Sequence, residues 1–168
     1  LLLPEIARAQ SGKVRIGLML PYTGTFAQLG VAIENGFRMA IDEKGGKLGG
    51  REIEYFKVDD ESEPSKGIEN ASKLVQRDKV DVLIGTVHSG VQMGIQKVVR
   101  DSGTLCLIPN AGVHAATRSL CAPNVFRTSF TNSQPTRALG QAMIAKGHKK
   151  AVWITWKYAA GEEAFEGF

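Results

Sequence analysis

The sequence predicts an α/β protein built on a doubly wound, parallel sheet. Three features carry that expectation. Short apolar runs alternate with amphipathic segments of helical period from Val14 to Phe130, in the order βαβαβαβ. Turn residues break the pattern at each junction. Two of the apolar runs, Val80 to Gly85 and Thr104 to Ile108, lead directly into the small polar loops Thr86-Val87-His88-Ser89-Gly90 and Pro109-Asn110-Ala111-Gly112. In an open parallel sheet, ligands bind beyond the carboxyl ends of the strands, where the following helices point free N–H groups.

In order, Val14 to Leu20 is a buried-strand run that Pro21-Tyr22-Thr23-Gly24 breaks. Leu29, Ile33, Phe37, Ala40 and Ile41 then recur at helical spacing until Gly45-Gly46. The strand Ile53 to Val58 ends in Asp59-Asp60, and Ser62 with Pro64 suits the start of a helix whose apolar face is Ile68, Ala71, Leu74 and Val75. Strand 80–85 precedes a helix carrying Ile95, Val98 and Val99. Strand 104–108, a short helical turn and strand Val125 to Phe130 follow. Thr128 to Ser133 then reads either as a hinge between two lobes or as a loop within one domain. Beyond it come a helix with Leu139, Ala142 and Met143 on one face, ended by Gly147, and a strand Ala151 to Trp156 that begins a second sheet. The last residues, Glu162 to Phe168, read as a helix barely begun, which predicts a longer parent protein.

Composition narrows the function. The 168 residues are 43% hydrophobic and 23% charged, enough for one real core. The net charge of +4 comes from 21 basic and 17 acidic residues that are interspersed, with no basic stripe interleaved with aromatics, which speaks against nucleic acid. Leu1-Leu2-Leu3-Pro4 with Ala7-Arg8-Ala9-Gln10 reads as the tail of an export signal, giving a leader over 1–9 and a mature start at Gln10. No later run reaches the ~20 apolar residues of a membrane span, so no direct membrane insertion of the mature chain is expected. An exported protein can oxidise the two cysteines, Cys106 and Cys121, and closing a loop of about 15 residues is worth ~3 kcal/mol. Because Cys106 lies in an apolar strand, a buried free thiol is the equal alternative.

Enzyme chemistry finds little support. The first turn is not G-x-G-x-x-G and no phosphate-binding P-loop occurs, so no nucleotide cofactor is expected. Asp59 and Asp60 read as capping carboxylates in a solvated turn rather than as a ribose-binding acid. Val87-His88-Ser89-Gly90-Val91 lacks the glycines of a nucleophile elbow, and His88, His114 and His148 with the cysteines show no metal-ligand spacing. No catalytic or metal-binding residue is therefore assigned. What remains is capture of a small molecule: the Ser89 hydroxyl and N–H groups at Ser89, Gly90 and Gly112 suit a carboxylate, with Tyr22, Leu29 and Tyr158 as apolar or aromatic walls, although each aromatic taken alone reads more readily as packing.

At this point the sequence resembles a known family, the periplasmic solute-binding proteins of branched-chain amino acid ABC transporters and their relatives that bind aromatic acids. The resemblance rests on Ile16-Gly17-Leu18-Met19-Leu20-Pro21-Tyr22-Thr23-Gly24 with Ala27-Gln28-Leu29-Gly30, Asp59-Asp60 with Pro64, Ile84-Gly85 before Ser89, Pro109-Asn110-Ala111, Phe126-Arg127-Thr128 and Tyr158-Ala159-Ala160-Gly161. It implies a two-lobed clamp (Venus flytrap) fold, with lobe one over 10–128 and the hinge and start of lobe two over 129–168. It further implies an exported, periplasmic subunit that delivers a small carboxylate to a membrane permease, or else a sensory ectodomain of the same fold.

By the same resemblance Ser89 would hold the ligand carboxylate and Asn110, Ala111 and Gly112 its polar head. Leu29, Val87 and His88 would line the pocket, and Tyr158 would close from the second lobe. Gly112 stands where amino-acid binders often carry a hydroxyl, which weakens the case for an ordinary α-amino acid. A hydrophobic amino acid and an aromatic acid both remain open as ligand. Some relatives bear a disulfide at the positions of Ser62 and His88, so any bridge here is the separate Cys106–Cys121 pair.

Overall fold

The computed structural model describes residues 12–168; the expected leader over 1–9 and the start at Gln10 lie outside the described residues. The elements are β1 (Val14–Leu20), α1 (Ala27–Asp42), β2 (Lys47–Leu48), β3 (Arg51–Asp59), α2 (Pro64–Ser72), β4 (Val82–Ile84), α3 (Ser89–Ser102), β5 (Leu105–Ile108), β6 (Val125–Arg127), α4 (Ser133–Ala145) and α5 (Ala159–Gly167). A π turn, Lys73–Arg77, extends α2, and a short 3-10 turn, His114–Thr117, lies between β5 and β6. One sheet runs in the order β2-β3-β1-β4-β5-β6, parallel throughout except for β2. The doubly wound α/β class expected from the alternation is the class observed.

β1 is the centre of the sheet. It pairs with β3 along its whole length, Val14 to Ile53 through Leu20 to Asp59, and with β4 from Ile16 to Leu18. Residues Ile16, Leu18, Met19 and Leu20 are at most 1% exposed, as expected of a strand covered on both faces. On one face Met19 packs with Leu74, Leu83, Val91, Ile95, Val99, Cys106 and Ile108 beneath α2 and α3; on the other, Ile16 and Leu18 pack with Ile84 and with Phe37 of α1. A methyl group at Gly67 would come within 2.6 Å of Val91, so the absence of a side chain there sets how closely α2 meets α3.

Two elements depart from the reading of the sequence. The strand β2 and the start of β3 at Arg51 lie in the stretch between Gly45-Gly46 and Ile53, to which the sequence reading assigns no element. Gly49 and Gly50, at φ 56° and 78°, make the two-residue turn that pairs Leu48 with Arg51. Conversely, the expected strand Ala151 to Trp156 forms no ladder: among the described residues no strand pairs with it, and Val152 and Ile154 are 88% and 91% exposed. Apolar alternation proposes a strand, but only partners make one. The run Val125 to Phe130 likewise pairs only as far as Arg127.

The proposed Cys106–Cys121 bridge is not formed. Cys106 is buried in β5 and Cys121 is exposed on the loop before β6, both as free thiols, which is the alternative reading of Cys106. Burial pushes the Cys106 thiol up to about 12, so it stays protonated and inert. In a native alkylation experiment Cys121 is expected to react rapidly and Cys106 only after denaturation; an intact mass showing neither thiol reactive before reduction would contradict this.

Helix α1 is fastened by a buried charge. Glu34, 8% exposed, accepts from Lys57 Nζ of β3 at 2.8 Å and from Arg38 at 2.7 Å, and Lys57 Nζ also lies 3.8 Å from the Tyr22 ring centre. Burial works against ionisation, but the hydrogen bonds from Lys57 and Arg38 prevail and hold the Glu34 carboxyl at about 2, against 4.5 for a free group. A depressed carboxyl stabilises the fold above its unfolded pKa and loses that contribution as pH falls through its folded one. Replacing Glu34→Gln is therefore expected to cost about 3 kcal/mol at neutral pH and to flatten the fall in stability between pH 4.5 and 2, as followed by chemical denaturation.

Candidate functional site

The strand order reverses its direction of growth at β1 and β4, so the chain leaves these neighbours toward opposite faces and a crevice opens at their carboxyl ends. There the structure holds a cavity of about 390 Å³, within the range of small-molecule sites. It is walled by Gly24 to Phe26 after β1, Glu61 to Glu63 after β3, His88 at the head of α3, and Trp156 with Tyr158 from the segment before α5.

Two polar devices hold these walls. Asp59 accepts from the Tyr22 N–H (2.8 Å), the Thr23 hydroxyl (2.7 Å) and the Glu61 N–H (2.9 Å), tying the loops after β1 and β3 together. Burial opposes its charge, yet these bonds keep its pKa below the usual carboxylate range. Asp60 also caps, accepting from the Ser62 N–H at 2.8 Å. It is wholly buried rather than solvated, and burial pushes its carboxyl up to about 6. The second device runs through α3 from the loop before it to the turn after β5: Thr86 donates to Gln92, Gln92 to Gln96, and Gln96 to the carbonyls of Ala116 and Leu120. This satisfied buried ladder anchors the loop after β4, and the Ala111 N–H donates to Thr86 O to fasten the loop after β5 to it.

The cavity is aromatic. His88 and Tyr158 stack with ring centres 4.6 Å apart and planes 8° from parallel, while Phe26 lies 6.0 Å from both His88 and Trp156. His88 Nδ1 accepts the Gly90 N–H at 3.1 Å, so the hydrogen of the neutral ring sits on Nε2, available as a donor. Burial lowers the imidazole pKa, the charge of Glu63 partly opposing it.

Of the residues singled out from sequence, His88 and Tyr158 meet at this cavity. Ser89 is the first residue of α3 but only 2% exposed, its Oγ accepting from Asn132 at 3.3 Å. Val87 and Ala111 are buried, Asn110 is half-buried at the end of β5, and Gly112 packs against Asn132. Leu29 is exposed on α1 and does not line the cavity, and Tyr22 is turned toward Lys57. The sequence reading missed Phe26, Trp156 and Asn132. Trp156 was absorbed into the expected strand, and Phe26 and Asn132 belong to no motif.

One further pair has catalytic residue types: His114 Nε2 lies 2.8 Å from Ser133 Oγ. Glu163 approaches the same ring nitrogen at 3.8 Å and accepts instead from the His114 backbone N–H, so it does not orient the ring from its other nitrogen as a relay requires. Among the described residues no group of three metal-ligating side chains occurs.

Residues 13–168 match the family described as periplasmic binding protein. The Leu/Ile/Val-binding protein BraC3 of Rhizobium johnstonii is 32% identical over 144 residues, which is 84% of this chain and 38% of that protein. The solute-binding protein of an ABC transporter from R. palustris, solved in complex with benzoate, superposes with a TM-score of 0.91 at 57% identity, over 94% of this chain and 44% of that one. A second, from Rhodopseudomonas palustris BisB5 in complex with 3,4-dihydroxybenzoic acid, gives 0.86 at 28% identity, over 92% and 42%. The chain thus spans less than half the length of each.

The stack makes a measurable prediction. In NMR titrations His88 is expected to titrate below the ordinary 6.5, and to move back toward it when Tyr158→Ala opens the ring to water. A His88 titration unaffected by that change would show that the two rings are not stacked in solution.

Proposed function

The chain belongs to the periplasmic binding protein family, and from that premise we propose that it supplies the first lobe (10–128) and the hinge with the start of the second (129–168) of the solute-capturing subunit of an ABC importer. The ligand we propose is a small aromatic carboxylate of the benzoate class, captured without catalysis outside the cytoplasm and handed to a membrane permease. No helix of the described residues is long and apolar enough to cross a membrane.

The single observation that carries the ligand class is the aromatic lining of the crevice: Phe26, His88, Trp156 and Tyr158 offer ring faces and edges to a planar guest. The relative at 57% identity is the one bound to benzoate, which supports the same choice over a branched-chain amino acid. Charge orients the guest. Glu61 and Glu63 repel an anion from the side of β3, whereas the first N–H groups of α3 have no intrahelical acceptor and attract one. We place the carboxylate there, on the Ser89 hydroxyl and the N–H groups of Ser89 and Gly112, with His88 Nε2 as a further donor. Asn110 and Ala111 shape that end, and Val87, itself buried, backs it from beneath. Tyr158 covers the ring from the second.

A thermal-shift screen of the full-length protein tests this. Benzoate at 100 times its dissociation constant is expected to add about 2.7 kcal/mol of stability, leucine clearly less, and NAD or ATP nothing. The variant Ser89→Ala should lose ~1.5 to 3 kcal/mol of benzoate affinity with its fold intact. Stabilisation by leucine alone would return the ligand to the amino acids, and stabilisation by a nucleotide alone would overturn the binding-protein reading.

A further inference from the structure

Asn132 stands directly before α4, where an asparagine side chain ordinarily caps the helix by accepting one of its first N–H groups. It makes no such bond. Its Nδ2 instead donates to Glu163 Oε2 at 2.8 Å and to Ser89 Oγ at 3.3 Å, while its backbone N–H donates to Gly112 O at 3.0 Å. The orientation of the amide is fixed by chemistry, because a carboxylate only accepts and so must face the NH₂ end. Room for the amide comes from Gly112: a methyl group there would come within 2.3 Å of Asn132 Oδ1.

We infer that Asn132 is a positioning residue for the ligand carboxylate, turning the Ser89 hydroxyl hydrogen toward the crevice. The inference rests on the reading of Ser89 given above. A hydroxyl that accepts from Asn132 has one lone pair occupied by a fixed donor, and its own hydrogen is left to donate elsewhere. The same amide reaches the closing side of the site, since Glu163 belongs to α5, the helix that Tyr158 precedes, and also accepts from the His114 N–H at 2.9 Å. One side chain thus sets both the serine that would grip the carboxylate and the helix that carries the covering tyrosine. Gly112 follows as the companion of Asn132: lacking a side chain, it leaves the room that the amide occupies.

Calorimetry with benzoate on the full-length protein, carrying Ser89→Ala, Asn132→Ser or both, tests the relay. Asn132 makes no capping bond to lose, so Asn132→Ser is expected to leave the start of α4 in place while weakening benzoate binding about tenfold. In the Ser89→Ala background the further loss is expected to stay below about twofold, the non-additivity of residues that act through one another. Gly112→Ala, which expels the amide, should reproduce the loss and serves if Asn132→Ser does not fold. An unchanged affinity in Asn132→Ser beside a harmful Ser89→Ala overturns the relay and leaves the Ser89 reading standing. Equal losses in both backgrounds also overturn it, since Asn132 would then act by another route. If Ser89→Ala is itself without effect, or the unaltered protein ignores benzoate, the ligand reading falls and the relay with it.

Discussion

Everything in this molecule is arranged around β1, a strand with parallel partners on both sides and helices over both faces. From Ile16 onward such a strand has no solvated edge and no solvated face, so that stretch is wholly apolar, and polar chemistry gathers where the strand ends. Its neighbours were laid down in opposite directions along the sheet, which pulls the following segments apart at that end. The crevice is a consequence of topology before it is a consequence of any side chain. Asp59 then fixes its width, because three donors from two loops converge on one carboxylate.

Much of this was legible from residues alone. Buried strands of a parallel sheet are continuous apolar runs, and β1, β4 and β5 are recognisable as such, each found within a residue or two of its expected span. The loops after β4 and β5 were legible for the same reason: small polar residues at the end of an apolar run mark the place where backbone donors come free. What stayed hidden depends on pairing across distance. Gly49-Gly50 is a hairpin only because Lys47 and Leu48 find β3, and Ala151 to Trp156 is not a strand because it finds nothing. Asn132 and Glu163 lie 43 and 74 residues from Ser89, and no local pattern announces that they share a network. The cysteines show the same limit, since spacing along the chain carried no information about which side of β5 one of them would face.

For the aromatic carboxylate proposed above, the crevice would combine two kinds of selection that act on different parts of the guest. Aromatic walls discriminate by shape and weakly by chemistry, because a ring face accepts any flat apolar body. The polar end would discriminate by charge, with two glutamates on one rim and a helix start on the other. Rigidity of the second kind comes from buried amides rather than from charges: Gln92 and Gln96 satisfy one another and the backbone, so the loop they support is fixed without a buried ion.

The outer edge of the sheet has its own logic. β3 has nine residues and faces β2 over only two of them, which leaves a row of unpaired backbone groups open to any chain with a free strand. Along it stand the exposed charges of Glu52, Glu54 and Lys57, and the short hairpin ends in another lysine, Lys47. A foreign strand docking there would have to strip water from ionised side chains at three positions, a desolvation penalty that works against the gain from hydrogen bonding along the backbone. The charged margin that ends the sheet therefore disfavours pairing of one copy of the molecule with another along that edge.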